Sequence, residues 1–160
     1  MKLLILSDSH GYVFNLEAVL KRERDADAIL HLGDGGDDLR LMGEYTEGKP
    51  CYICKGNCDS VSHGFPETIV TEAEGVRIFA CHGHQYGVKY GLHKLYYAAK
   101  EADAQLCLFG HTHSPCCEFE PGFTMVNPGS VAAGSYCVAE LRDGTVRTEN
   151  KTLARQQPVV

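Results

Sequence analysis

Five short stretches of the chain carry side chains of one chemical kind at one kind of place. "LSDSHG" presents Asp8 and His10, "HLGDGGDD" presents Asp34, "KGNCDS" presents Asn57, "ACHGHQYG" presents His82 and His84, and "FGHTHSPCC" presents His111 and His113. Each set follows directly on a short apolar run. Carboxylates, imidazoles and one carboxamide, without thiolates, are donors for borderline and moderately hard divalent ions such as Mn, Fe, Co, Ni or Zn. The spacing repeats too, as Asp8-x-His10, His82-x-His84 and His111-x-His113. In extended chain, residues two apart point to the same side, so each pair would converge on one or two metals. Glycines at 11, 33, 56, 83 and 110 allow sharp turns and close backbone approach beside these residues.

Each member also has an ordinary role. Asp8 precedes a helical pattern and could cap it, and Asp34 in "GDGGDD" suits a turn. A lone histidine is more often surface or core than ligand, which is the reading for His31, His63 and His93. The ordinary roles would have to hold independently at five strand ends, whereas a metal centre explains all five together.

Apolar runs at 3–6, 28–32, 50–54, 76–81 and 106–109 have strand length and position these groups at their carboxyl ends. Between them, "YVFNLEAVLKRE" and "GLHKLYYAAKEA" repeat apolar residues at helical spacing, and "DDLRLMGEY" does so more weakly. Such alternation predicts parallel pairing with crossover helices. "TIVTEAEGVRIFACHG" reads as a hairpin around Gly75. After residue 115, "CCEFE", "FTMVN", "SYCVAEL" and "TVRTENKTL", separated by "PG", "NPGS" and "RDG", read as antiparallel strands. The fold class is α/β with mixed pairing.

Length and composition bound the rest. The 160 residues, 44% of them apolar, fit one domain over 1–160, with "ARQQPVV" from about residue 153 as a frayed tail. A net charge of -6 leaves no broad surface for a nucleic-acid backbone. The first apolar run, Leu3 to Leu6, is too short for a signal peptide, and no run approaches the roughly 20 residues of a membrane span, so a cytoplasmic location is expected. In that compartment the eight cysteines are not expected to form disulfides, and most should be buried, among them Cys81, Cys107 and Cys137. "CYIC", even with Cys58, lacks the second pair a zinc or redox site needs, and "NKT" at 150–152 has no role without secretion.

The ordered series "DSH", "GD", "GNCD", "HGH" and "GHTH", with "NPGS" after the last pair, resembles the calcineurin-like metallophosphoesterases from about residue 1 to 145. It is most similar to their small, single-domain prokaryotic phosphodiesterase branch, which shares its fold with a small retromer subunit. The resemblance implies a two-layer β sandwich of mixed sheets flanked by helices, in four layers α-β-β-α. It implies two divalent ions, manganese by preference. Asp8, His10, Asp34 and His113 would hold one, and Asp34, Asn57, His82 and His111 the other. His84 would lie beside them, and Asp34, Asn57, His84 and His111 would serve catalysis. The implied reaction is hydrolysis of a small phosphodiester by in-line attack of a hydroxide bridging the two ions.

One position departs from the larger relatives. They place a histidine directly after the metal-binding asparagine, where this chain has Cys58 and then Asp59. A thiol is a weaker candidate for assisting a leaving group, so diesters with good leaving groups are the expected substrates. A broad phosphomonoesterase would share every ligand, and a scaffold for protein partners would share the fold. The retromer subunit lacks the histidine of the first motif, whereas His10 is present here. Tyr86, Lys89 and His93 are candidate contacts for a substrate phosphate, each more simply read as loop or helix start. Oligomeric state is open, since an edge strand of the C-terminal half could pair two chains.

Overall fold

The computed structural model describes residues 1–153, so the tail read from "ARQQPVV" lies outside the described residues. Ten strands are formed: β1 (Lys2–Leu6), β2 (Ala28–His31), β3 (Cys51–Ile53), β4 (Thr68–Ala73), β5 (Val76–Cys81), β6 (Leu106–Leu108), β7 (Cys116–Glu120), β8 (Phe123–Asn127), β9 (Ser135–Arg142) and β10 (Thr145–Thr152). Four α-helices accompany them among the described residues: α1 (Val13–Arg22), α2 (Gly36–Arg40), α3 (Gly43–Thr46) and α4 (His93–Glu101).

The strands divide between two five-stranded sheets, in the orders β10-β9-β1-β2-β3 and β4-β5-β6-β8-β7. β1, β2 and β3 run parallel in the first sheet, and β5, β6 and β8 run parallel in the second. The antiparallel strands β9, β10, β4 and β7 extend the two sheets from these parallel centres.

Continuous apolar runs form the central strands because both of their faces are covered. In β1, Leu3 and Ile5 face the second sheet, where they join Ile78, Ala80, Leu106, Leu108 and Val126. Leu4 and Leu6 face outward onto Leu16, Val19 and Leu20 of α1. The second sheet repeats the arrangement, with Phe79, Cys107 and Met125 packed on Leu95 and Ala99 of α4. The order is therefore helix, sheet, sheet, helix, as expected.

Some local expectations are corrected. "DDLRLMGEY" forms two short helices, α2 and α3, parted at Leu41 and Met42. The 50–54 run yields only the three-residue edge strand β3, whose Cys51 and Tyr52 are exposed because no strand pairs beyond it. Burial of the cysteines holds for Cys54, Cys81, Cys107 and Cys137, whereas Cys51, Cys58 and Cys117 are exposed and Cys116 is half-buried. The hairpin around Gly75 forms as read, with Glu74 and Gly75 both at positive φ, as a type I′ turn requires. Among the described residues, no helix is long and apolar enough to cross a membrane.

Candidate metal centre

The carboxyl ends of β1, β2, β3, β5 and β6 meet at one place, and the loops that follow bring their polar residues together. Asp8 is fully buried there. Its Oδ2 accepts from Ser7 Oγ at 2.5 Å and from the His111 N–H at 3.1 Å. Its Oδ1 is buried and has no hydrogen-bond partner. That atom stands 3.1 Å from His113 Nε2 and 3.5 Å from His10 Nε2, and those two nitrogens are 3.3 Å apart.

A second group forms around His82, which is also fully buried. Its Nδ1 donates to Leu32 O at 2.8 Å, which leaves Nε2 facing inward. Asn57 Oδ1 lies 3.0 Å from that nitrogen, His111 Nδ1 3.2 Å and Asp34 Oδ2 3.2 Å. Asp34 Oδ2 is also 3.8 Å from His10 Nε2, so this carboxylate stands between the two groups.

Two imidazole nitrogens, an amide oxygen and a carboxylate oxygen converging in this way are the donors that a shared cation takes. Donors held about 2.0–2.2 Å from one ion are themselves about 3 Å apart, and the spacings here are of that size. Three donor sets emerge within 4.8 Å: Asp8, His10 and His113; Asp34, His82 and His111; and His10, Asp34 and Cys58. The orphaned Asp8 Oδ1 and the acceptor-rich donor set both fit divalent metal ions.

The charges respond to this crowding. Burial alone would raise the Asp34 carboxyl, but hydrogen bonds and charge from His82 and the Cys58 N–H hold it well below the usual carboxylate range. Burial would lower His82, but the Asp34 and Asp8 carboxylates raise it. Burial and then the neighbouring His82 charge push His84 and His111 down. Burial, with the Asp34 charge, pushes the Cys58 thiol up.

The backbone reaches this arrangement by a different route from the one the spacing suggested. Asp8, His10, Asp34, His111 and His113 have φ of 54°, 45°, 57°, 68° and 60°, in the left-handed region rather than extended. Because of these turns, His111 joins Asp34 and His82 while His113 joins Asp8 and His10. An extended chain would have sent both histidines to the same set. Asp8 is likewise no helix cap, since Tyr12 occupies that position without a side-chain cap.

The glycines serve close approach. A Cβ on Gly110 would lie 2.0 Å from Ser7 Oγ, and one on Gly56 would lie 2.1 Å from Asp34 Oδ1. Three residues outside the ligand-type set hold these loops together. Asp59 accepts the N–H groups of Asp34 at 2.8 Å, Gly35 at 3.0 Å and Gly56 at 2.8 Å, locking the Asp34 loop to the Asn57 loop. Asn127, the first residue of "NPGS", donates to Gly110 O and Thr112 Oγ1, and Ser130 of that motif donates to Asp8 O. Their signal in the sequence was adjacency to the motifs, "GNCD" and "NPGS".

His84 sits beside the cluster, its ring 5.4 Å from that of His82 and 6.0 Å from that of His111, in none of the three sets. Cys58, read as lying outside the ligands, has its sulfur among them. His31 is a core residue whose Nδ1 accepts from Gly33 N–H and whose Nε2 faces Ser9 Oγ. His63 pairs with Asp37 at 2.9 Å. Tyr86 packs against Phe79, and Lys89 is exposed. His93 lines an apolar groove with Leu92, Tyr96, Phe119 and Phe123, none of them in the donor sets.

Known proteins share these features. The model of the calcineurin-like phosphoesterase superfamily domain matches residues 1–144. The chain is 36% identical over 132 residues to YsnB of Bacillus subtilis, a probable metallophosphoesterase, across 82% of this chain and 75% of that one. A predicted phosphoesterase of Streptococcus pneumoniae superposes with a TM-score of 0.77 at 33% identity, covering 94% of this chain and 88% of its own. An archaeal phosphodiesterase shares the fold at a TM-score of 0.76 and 18% identity, covering 94% of this chain and 100% of that one. With a family match over most of its length and a close-set group of metal-ligating side chains at its strand ends, the chain belongs to the calcineurin-like phosphoesterase superfamily.

Proposed function

We infer that the protein is a phosphodiesterase dependent on two divalent ions that share Asp34. The observation that carries this reading is Asp34 Oδ2, which lies 3.2 Å from His82 Nε2 on one side and 3.8 Å from His10 Nε2 on the other. Asp8, His10, Asp34 and His113 would hold one ion, and Asp34, Asn57, His82 and His111 the other. Ions bound there supply Lewis acidity to a phosphoryl group and lower the pKa of water. The chain itself supplies orientation. His82 is fixed through Nδ1 by Leu32 O, and Asp34 is fixed through Oδ1 by the Cys58 N–H at 2.7 Å. His84, its ring 5.4 Å from that of His82 and 6.0 Å from that of His111, would contact a phosphoryl oxygen of the substrate.

Preference for diesters follows from what stands next to Asn57. Cys58 replaces the histidine that would protonate a poor leaving group, so substrates with good leaving groups are favoured. A broad phosphomonoesterase is the competing reading, and a scaffold is a weaker one because the full donor set, including His10 and Asn57, is present and convergent. The test compares bis-p-nitrophenyl phosphate with p-nitrophenyl phosphate, using metal-stripped protein resupplied with Mn, Ni, Zn or Mg. Faster metal-dependent turnover of the diester is expected, with kcat lowered at least about 100-fold in Asp34→Asn. Equal turnover of both esters would favour the monoesterase reading. No turnover with any of the metals would favour the scaffold.

A further inference from the structure

We propose that Cys58 is itself a metal ligand, so that the ion beside His10 and Asp34 is held by nitrogen, oxygen and sulfur together. This rests on the two-ion reading above and extends it to a side chain outside the ligand set read from the motifs.

Three observations carry it. His10, Asp34 and Cys58 each place one donor atom within 4.8 Å of the others. An ion with metal–sulfur bonds of about 2.3 Å and metal–nitrogen or metal–oxygen bonds of about 2.0–2.2 Å reaches donors at separations of that order. The thiol is also held in place, because the Cys58 N–H donates to Asp34 Oδ1 at 2.7 Å and Asn57 Nδ2 donates to the sulfur at 3.4 Å. Finally, Asp8 Oδ1, buried and without a partner, points into the same side of the cluster 3.5 Å from His10 Nε2, as expected of a carboxylate awaiting a cation. Among the described residues no other cysteine falls in such a donor set. Desolvation pushes the buried thiols of Cys54 and Cys137 up to about 12 and that of Cys107 well above the ordinary thiol range, and all three pack as hydrophobic side chains.

Ligation exchanges the S–H bond for a metal–sulfur bond and releases the proton to solvent. Two consequences follow. A soft donor moves the preference of this half of the centre from manganese and magnesium toward zinc, cobalt and iron. A sulfur bound to metal has no proton to give, so Cys58 cannot serve as the acid for a leaving group.

Cobalt titration of the metal-stripped chain, up to two equivalents and followed by absorption, tests this without recourse to activity. Ligand-field bands in the visible report that cobalt binds at the centre at all. A sulfur-to-cobalt charge-transfer band in the near ultraviolet reports thiolate ligation. The wild type is expected to show both. Cys58→Ser should keep the visible bands and lose the ultraviolet one, and its affinity ratio for zinc over manganese should fall by about tenfold. Cys117→Ser, at an exposed thiol on β7, should keep both bands. Visible bands without the ultraviolet band in the wild type would overturn the Cys58 assignment and leave the two-ion reading standing. An ultraviolet band that survives in Cys58→Ser would also overturn it, since the sulfur would come from another residue. Absence of any cobalt bands would overturn both.

Discussion

Asp59 lies outside the donor sets, yet its carboxylate holds the backbone of the Asp34 loop in place. Five ligand-type residues hold a left-handed backbone that costs an L-residue about 1–2 kcal/mol, and hydrogen bonds to the loops must offset that cost. For the Asp34 loop the offset comes from three N–H groups converging on the Asp59 carboxylate. Asp59→Asn keeps the shape but turns an N–H₂ toward a backbone N–H. Metal Kd, measured by competition with a chromophoric chelator, should rise about 10–100-fold. An unchanged Kd would show that the clamp does not position the ligands. His31 tests the folded core at the same scale. Burial holds its imidazole down to about 4 against an ordinary 6.5. The unfolded chain takes up a proton below 6.5 that the folded chain refuses. The contribution is therefore present above pH 6.5 and is lost as the pH falls through about 4. Between pH 7 and 5 it amounts to about 2 kcal/mol. Urea unfolding of the metal-free chain at both pH values should show a difference smaller by about that amount in His31→Gln; an identical difference would exclude His31 as its source.

Secondary elements place these residues, and their attachment can be tested away from the centre. Glu23, just past the end of α1 and only 4% exposed, receives Tyr136 Oη from β9 at 2.9 Å, Lys2 Nζ from β1 at 2.8 Å and Lys151 Nζ from β10 at 3.2 Å. Glu23→Gln leaves two lysines facing a neutral amide and should cost about 1–3 kcal/mol, read as a lower urea midpoint with unchanged slope. No change in midpoint would mean that apolar packing alone holds α1. Elements of this kind were legible where burial imposed a pattern. Leu3 to Leu6 announced a strand covered on both faces, and Leu16, Val19 and Leu20 announced a helix with one buried face. β3 was read too long, because the apolar run at 50–54 does not show that the strand lies at a sheet edge with Cys51 and Tyr52 exposed. The ligand residues were legible as residue types, since carboxylates and imidazoles after apolar runs have few other reasons to recur. Their grouping was implied by the ordered motif series and not by periodicity: the left-handed turns at His111 and His113 send neighbours in sequence to different donor sets, and periodicity carries no record of φ. The nearness of Cys58 to these donors was not legible for a related reason, because it depends on how the Asn57 loop folds back on Asp34.

At the scale of the whole molecule, the centre exists because two sheets stack. The parallel strands β1 and β2 supply Asp8, His10 and Asp34, and β5 and β6 of the other sheet supply His82, His111 and His113. Two of the three donor sets need both sheets: Asp8 and His10 meet His113, and Asp34 meets His82 and His111, across the sandwich, whereas His10, Asp34 and Cys58 all follow strands of the first sheet. The packing of Leu3, Ile5 and Leu30 on Ile78, Leu106 and Leu108 therefore sets the distance between ligands as well as the stability of the chain. The proposed chemistry requires Asp34 to be shared by two ions. Anomalous diffraction from crystals of the metal-stripped protein reloaded with zinc tests this directly. Two peaks are predicted, one among Asp8, His10 and His113 and one among Asn57, His82 and His111, with the Asp34 carboxylate between them. A single peak, or two peaks that do not share Asp34, would contradict it.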